Sequence, residues 1–182
     1  IPGRALALAL SVLGDRLRQL FDNCLEQGQF PWQWKVANMV LLKKEGRPVD
    51  SPSAYRPICL LDEAAKLLER VVADRLTKHL SRDGPNLAES QYGFRQGRST
   101  VDAILQVRSM SNEFVSQGGV ALAISLDIVN AFNSLPMRAI RTALSHHRVP
   151  QYLCKLVEDY LCNRIIQLDR RRCMTCRREV QC

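Results

Sequence analysis

The sequence predicts an α+β fold, and three features carry that expectation. Residues 60–80, LLDEAAKLLERVVADRLTKHL, put apolar side chains at 61, 64, 68, 71, 72, 76 and 80. That three-and-four spacing is the signature of an amphipathic helix. Two shorter apolar runs, WKVANMVLLKK (34–44) and VALAISLD (120–127), have the length and bounding residues of strands. Helical stretches and strand-like runs therefore share one chain of 182 residues, enough for an ordinary domain.

In chain order, residues 4–27 read as a helix closed by Gly28, with Leu13, Leu17, Leu20 and Phe21 on one face. The run 34–44 is a strand entering a basic turn. EGRPVDSPSAYRP (45–57), with three prolines and one glycine, is a loop. The strong helix follows, with Arg75 and Lys78 near its C-terminal end, where the helix dipole favours positive charge. SRDGPNLAESQYGFRQGRS (81–99) is a second loop, and a helix over 100–116 closes at Gly118-Gly119. The strand 120–127 comes next, then helices over 136–146 and 151–161, and the tail reads as a strand pair.

Composition narrows the function classes. Apolar residues make up 46% of the chain, which supplies a core and excludes intrinsic disorder. The net charge is +8, and from Asn163 to Arg178 six arginines face one acid, Asp169. Such a surface suits a polyanion. Seven scattered cysteines form no disulfide framework, so the expected compartment is reducing and intracellular. ALALALSVLG (5–14) is too short to span a bilayer. Beginning at Ile1 and stopping at Cys182, the chain is expected to be a piece of something longer.

Asp127 poses the chemical question. In a strand, residues two apart share a face. Val120, Leu122, Ile124 and Leu126 then form a bulky face, while Ala121, Ala123, Ser125 and Asp127 form a face of small side chains that a ligand can approach. A carboxylate at the end of a core strand is costly unless paired or bound to metal. The plain alternative is an N-cap for the next helix.

The motifs answer it by resemblance. SLDIVNAFNSL (125–135) resembles the first catalytic motif of reverse transcriptases, an aspartate at a strand end with an aromatic five positions later. YRPICLLDEAAKLLERVVADRL (55–76) and SQYGFRQGRSTVDAI (90–104) precede it in the matching order, and YLCKLVEDYLCNR (152–164) continues the likeness. Together they resemble the reverse transcriptases of non-LTR (LINE-type) retrotransposons, nearest to the site-specific elements of insect ribosomal RNA genes, from about Phe30 to Cys182.

The resemblance implies a fragment of a right-handed polymerase: a helical extension over 1–29, fingers over 30–119, and the first part of the palm over 120–182. It implies that Asp127, helped by the Ile128 carbonyl, binds two Mg2+ ions for nucleotidyl transfer. Such a site clamps the attacking and leaving oxygens with carboxylate-held hard cations. Phe132 would stack beneath the incoming sugar and exclude a 2′ hydroxyl. Lys43 or Lys44 would contact the nucleotide phosphates, and Arg56 the triphosphate, where a guanidinium can bind in bidentate fashion. In the glycine-rich loop, Arg95 and Arg98 would approach the template while Tyr92 or Phe94 stacks a base. Implied partners are an RNA template, a DNA primer or target DNA, deoxynucleoside triphosphates, and an endonuclease domain elsewhere in a polyprotein. A nuclear site of action follows.

The family pattern is incomplete. No two aspartates are adjacent anywhere in the sequence, and the Pro-Gln-Gly motif expected between the catalytic strands is absent. The chain by itself is therefore expected to be inactive. Rival readings are a non-catalytic basic nucleic-acid-binding module, which leaves Asp127 unexplained, and a helical scaffold, which leaves the basic loops unexplained. CMTC (173–176) with Cys162 and Cys182 suggests zinc, but one Cys-x-x-Cys without a second pair is a weak signal. His146-His147 reads as an exposed helix end.

Overall fold

Helix α1, Gly3–Gln27, ends where Gly28 takes φ +66°. That left-handed backbone suits glycine, which has no Cβ to clash. The computed structural model describes residues 3–128, 131, 135–168 and 176–179. They divide into two units, Ile1–Pro85 with Asn133–Cys182, and Asn86–Phe132.

Among the described residues, the first unit has four α-helices. The buried residues of α1 lie in its last turns, Cys24 and Leu25, with Phe21 half-buried. Leu13 and Leu20, expected on the buried face, are exposed. The alanine- and leucine-rich sequence carries more than one apolar stripe, and contact with neighbouring helices decides which one is used. Helix α2, Glu63–Arg82, is capped by Asp62, whose side chain accepts from the Ala64 N–H at 3.0 Å. It buries Ala64, Ala65 and Leu68, with Val71, Val72 and Leu76 packed alongside, as its periodicity predicts. The helices expected near 136–146 and 151–161 are Met137–His146 (here α4) and Gln151–Leu161 (here α5), each entered from a proline.

Leu153 and Leu156 of α5 meet Leu68 in the core, and these three are the largest fully buried side chains. Each contributes about 2 kcal/mol by leaving water. Phe30 sits edge-on to Trp34 and Tyr160, with ring centroids 5.9 and 4.9 Å away. Burial pushes the Tyr160 hydroxyl up to about 12, with a hydrogen bond to Glu69 adding to the rise.

A four-stranded sheet, in the order β2-β1-β3-β4, completes this unit. β1 (Val36–Lys43) follows a 3-10 turn, Trp32–Lys35, and pairs antiparallel with β2 (Tyr55–Leu60). β2 corrects the loop expected through Pro57. It lies at the sheet edge, where the N–H that proline lacks is not needed by a neighbour. β3 (Ile165–Leu168) runs parallel to β1, and β4 (Cys176–Glu179) pairs antiparallel with β3, so the expected tail strand pair forms.

In the second unit, helix α3 spans Thr100–Ser116, as its sequence predicts. A capping box starts it: the Ser99 hydroxyl accepts from the Asp102 N–H at 3.2 Å, and the Asp102 carboxylate accepts from the Ser99 N–H at 2.7 Å. The strand expected over Val120–Asp127 does not form: residues 119–128 have no regular structure, and Val120, Leu122, Ile124 and Leu126 are exposed. A strand is stabilised by a paired neighbour, and none of the sheet's strands pairs with this segment. Among the described residues, no helix is long and apolar enough to cross a membrane.

Candidate functional site

The predicted site residues fall on three pieces of backbone. The first is the β1–β2 hairpin, which carries Lys43, Lys44 and Arg56. Its register sets Leu42 opposite Arg56 and Lys43 opposite Tyr55. Opposed residues share a face, and alternate residues along a strand return to it. Arg56 is therefore on the face of Leu42, and Lys43 is on the other. Lys44 extends the ladder, its N–H donating to the Ala54 carbonyl at 2.7 Å, which carries it to Arg56's side. Its ammonium donates to the Ser53 carbonyl at 2.9 Å, in an exposed position from which an anion can recruit it.

The second piece is the loop before α3. Arg95 and Arg98 do come together, through a residue that the motif reading missed, Glu89, and Tyr92 joins them through Arg98, whereas Phe94 stays exposed. Its carboxylate receives Arg95 Nη2 at 3.3 Å on one oxygen and Arg98 on the other. The Arg98 guanidinium also lies 5.1 Å over the Tyr92 ring, a cation–π contact that occupies that ring. Phe94 is left as the open aromatic, on a left-handed backbone with φ 56°. A signal for Glu89 was present in the sequence: it is the sole acid between Asp83 and Asp102, in a stretch with two arginines.

The third piece is the segment of Asp127. Both Asp127 and Ile128 are exposed, so the carboxylate bears no burial cost here. Ala131 downstream is helical, and the residues that would begin and continue that helix lie outside the described residues, so the N-cap alternative falls there too. Phe132 lies outside the described residues. Val107, Met110, Ser111 and Phe114 of α3 line an open hollow with residues 120–124, just ahead of Asp127. Among the described residues, no three His, Cys, Asp or Glu side chains gather as a metal site. Mg2+ takes about six oxygens in octahedral geometry, and Asp127 with one carbonyl offers too few. The residues present do not by themselves fit a two-metal centre. The zinc reading rests largely on Cys173 and Cys182, outside the described residues. His147 is used structurally, its Nδ1 bonded to the Pro85 carbonyl at 2.6 Å.

Hairpin, glycine-rich loop and strand-end aspartate follow one another in a single order along the chain. The family model for reverse transcriptase (RNA-dependent DNA polymerase) matches residues 42–180, which include the predicted site residues on all three, and the chain belongs to that family. Among its relatives is the probable RNA-directed DNA polymerase from transposon BS of Drosophila melanogaster. It is 34% identical over 117 residues, which cover 64% of this chain and 13% of the relative. The putative 115 kDa protein in the type-1 retrotransposable element R1DM of Drosophila melanogaster is 34% identical over 132 residues, 72% of this chain and 12% of the relative. The Pol polyprotein from the type-1 retrotransposable element R2 of Nasonia vitripennis is 26% identical over 150 residues, 82% and 14% respectively. These relatives bear out the resemblance to non-LTR retrotransposon reverse transcriptases. The chain spans 12–14% of the length of the three.

Proposed function

We propose that the chain is the nucleotide- and template-receiving segment of an RNA-directed DNA polymerase, and that this enzyme copies a retrotransposon RNA onto a DNA primer at its target. The family match over residues 42–180 carries this reading. Residues 1–29 are a helical extension, residues 30–119 the fingers, and residues 120–182 the first part of the palm. Lys44 and Arg56, on one face of the hairpin, bind the triphosphate, and Lys43 is the weaker candidate. Arg95 and Arg98 bind the template backbone, and Phe94 stacks a base. Phe132 lies under the sugar and selects deoxynucleotides.

Asp127 contributes one carboxylate, with the Ile128 carbonyl, to a magnesium site whose other ligands come from elsewhere in the polymerase. The chain alone is inactive on this reading. The polyprotein around it carries the endonuclease that nicks the target, and it acts in the nucleus.

The test is single-nucleotide extension of a primer on an RNA template by the polyprotein containing this chain. Extension with the complementary deoxynucleotide is expected. RNA binding without templated extension would instead favour a non-catalytic nucleic-acid-binding module.

A further inference from the structure

The loop before α3 holds two guanidiniums against one carboxylate, and the three side chains are unequally covered. Arg95 is 14% exposed and Arg98 27%, whereas Glu89 is 80% exposed. The carboxylate therefore sits on the solvent side of the arginine pair. Each arginine also has an anchor independent of Glu89. Arg95 Nη1 donates to the Ala88 carbonyl at 2.8 Å, and Arg98 rests on the Tyr92 ring. Beside them stands Phe94, its side chain almost wholly in solvent.

We propose that Glu89 gates this loop: its carboxylate occupies, on Arg95 and Arg98, the place that a backbone phosphate of single-stranded RNA takes, and it swings aside when the RNA enters. The proposal rests on the template-binding reading above and adds the residue that regulates it.

The chemistry of the exchange is matched. A carboxylate and a phosphodiester each present two anionic oxygens to a guanidinium, and both form charge-assisted hydrogen bonds. The outgoing partner is held weakly, because ion pairs that reach solvent are worth little. The arginines keep their second anchors when Glu89 leaves, so the fork is already shaped for the incoming phosphate. Hydrogen bonds from Arg95 and Arg98 hold the Glu89 carboxyl below the usual carboxylate range, so at neutral pH the competitor is always charged. Phe94, with its ring free to take a base, gives the same strand a second point of contact.

Glu89→Gln keeps the size of the side chain and removes its charge. Two guanidiniums would then face the RNA without an internal anion. If Glu89 instead only braced the loop, this substitution would loosen it and weaken binding.

The experiment measures binding of a short, unstructured RNA oligonucleotide to the 182-residue chain by fluorescence anisotropy over a range of salt. Circular dichroism checks that each variant folds. Glu89→Gln should bind about three- to tenfold more tightly at low salt, with a salt slope steeper by about 0.7, the increment for one further phosphate on a single strand. Arg95→Ala and Arg98→Ala should each bind more weakly. If both arginine variants weaken binding but Glu89→Gln binds no better than the unsubstituted chain, the gate is overturned and template binding stands. Unchanged binding by both arginine variants overturns the template reading and the gate with it.

Discussion

The Asp159 carboxylate lies 2.9 Å from the Lys35 ammonium, and Lys35 is the sole charged side chain buried among the described residues. The other Asp159 oxygen accepts from the Phe30 N–H at 2.6 Å. One side chain of α5 thus holds the turn that launches β1, and with it the root of the hairpin that carries Lys44 and Arg56. Removing it would leave a buried ammonium and an amide unpaired. Asp159→Ala should lower stability by ~2 kcal/mol, since leaving buried polar groups unsatisfied costs about 1–3 kcal/mol each and Asp159 is itself partly in water. Urea denaturation should give a lower midpoint with an unchanged slope. An unchanged midpoint would remove the pair from the account of the fold.

Gly28 joins α1 to that same turn. A Cβ there would lie 2.6 Å from Lys155 Cβ, on the near end of that side chain, and the backbone is left-handed. Gly28→Ala should therefore destabilise by about 2 kcal/mol or more, the left-handed penalty alone being roughly 1–2 kcal/mol. Thermal unfolding of the variant measures it. A neutral effect would mean that α1 ends differently.

The α3 cap should respond to acid. Hydrogen bonds from the Ser99 hydroxyl and backbone N–H hold the Asp102 carboxyl below the ordinary aspartate range. A depressed folded value means that the stabilisation is complete above the unfolded value. It is lost as pH falls through the folded one. Amide exchange over the first turn of α3 should stay slow to below the ordinary aspartate range and then accelerate. Ser99→Ala, which removes the hydroxyl and keeps the backbone N–H, should shrink that step and move it up toward the ordinary aspartate range, whereas an unchanged step would point to another group.

Register separates the two hairpin lysines. In the intact polymerase, Lys44→Ala should raise the KM for a deoxynucleotide about tenfold, equivalent to the ~1.5 kcal/mol of one charge-assisted hydrogen bond. Lys43→Ala, on the opposite face, should have a smaller effect. Steady-state extension at varied nucleotide concentration makes the comparison, and the reverse ranking would reassign the triphosphate contact to Lys43.

Much of the fold was legible because local chemistry and burial agreed. Gly28 marked the end of α1, and the spacing through Ala64, Leu68 and Leu76 marked the buried face of α2. Thr100–Ser116 and Gln151–Leu161 were readable to the residue. Strand β2 was not, because Pro57 argues for a loop until its place at the sheet edge is known. Val120–Asp127 failed in the opposite sense. Its alternation is strand-like, but pairing is a property of the neighbour, and among the described residues no strand pairs with it. In the site, Arg95, Arg98, Tyr92 and Phe94 stood out as a motif. Glu89 did not, because a lone glutamate in a loop looks like solvated charge until both arginines are found on it.

Asp127 is proposed to serve nucleotidyl transfer, and single-nucleotide extension by the intact polymerase bearing Asp127→Asn tests that role most directly. The substitution keeps shape and hydrogen bonding and removes the charge. Transition-state stabilisers of this electrostatic kind are worth roughly 3–4 kcal/mol, so the rate should fall by about two to three orders of magnitude. Affinity for primer and RNA template, which the proposed function assigns to the basic residues and not to Asp127, should be unchanged. A near-normal rate in the asparagine variant would contradict the account and leave Asp127 with no part in the chemistry.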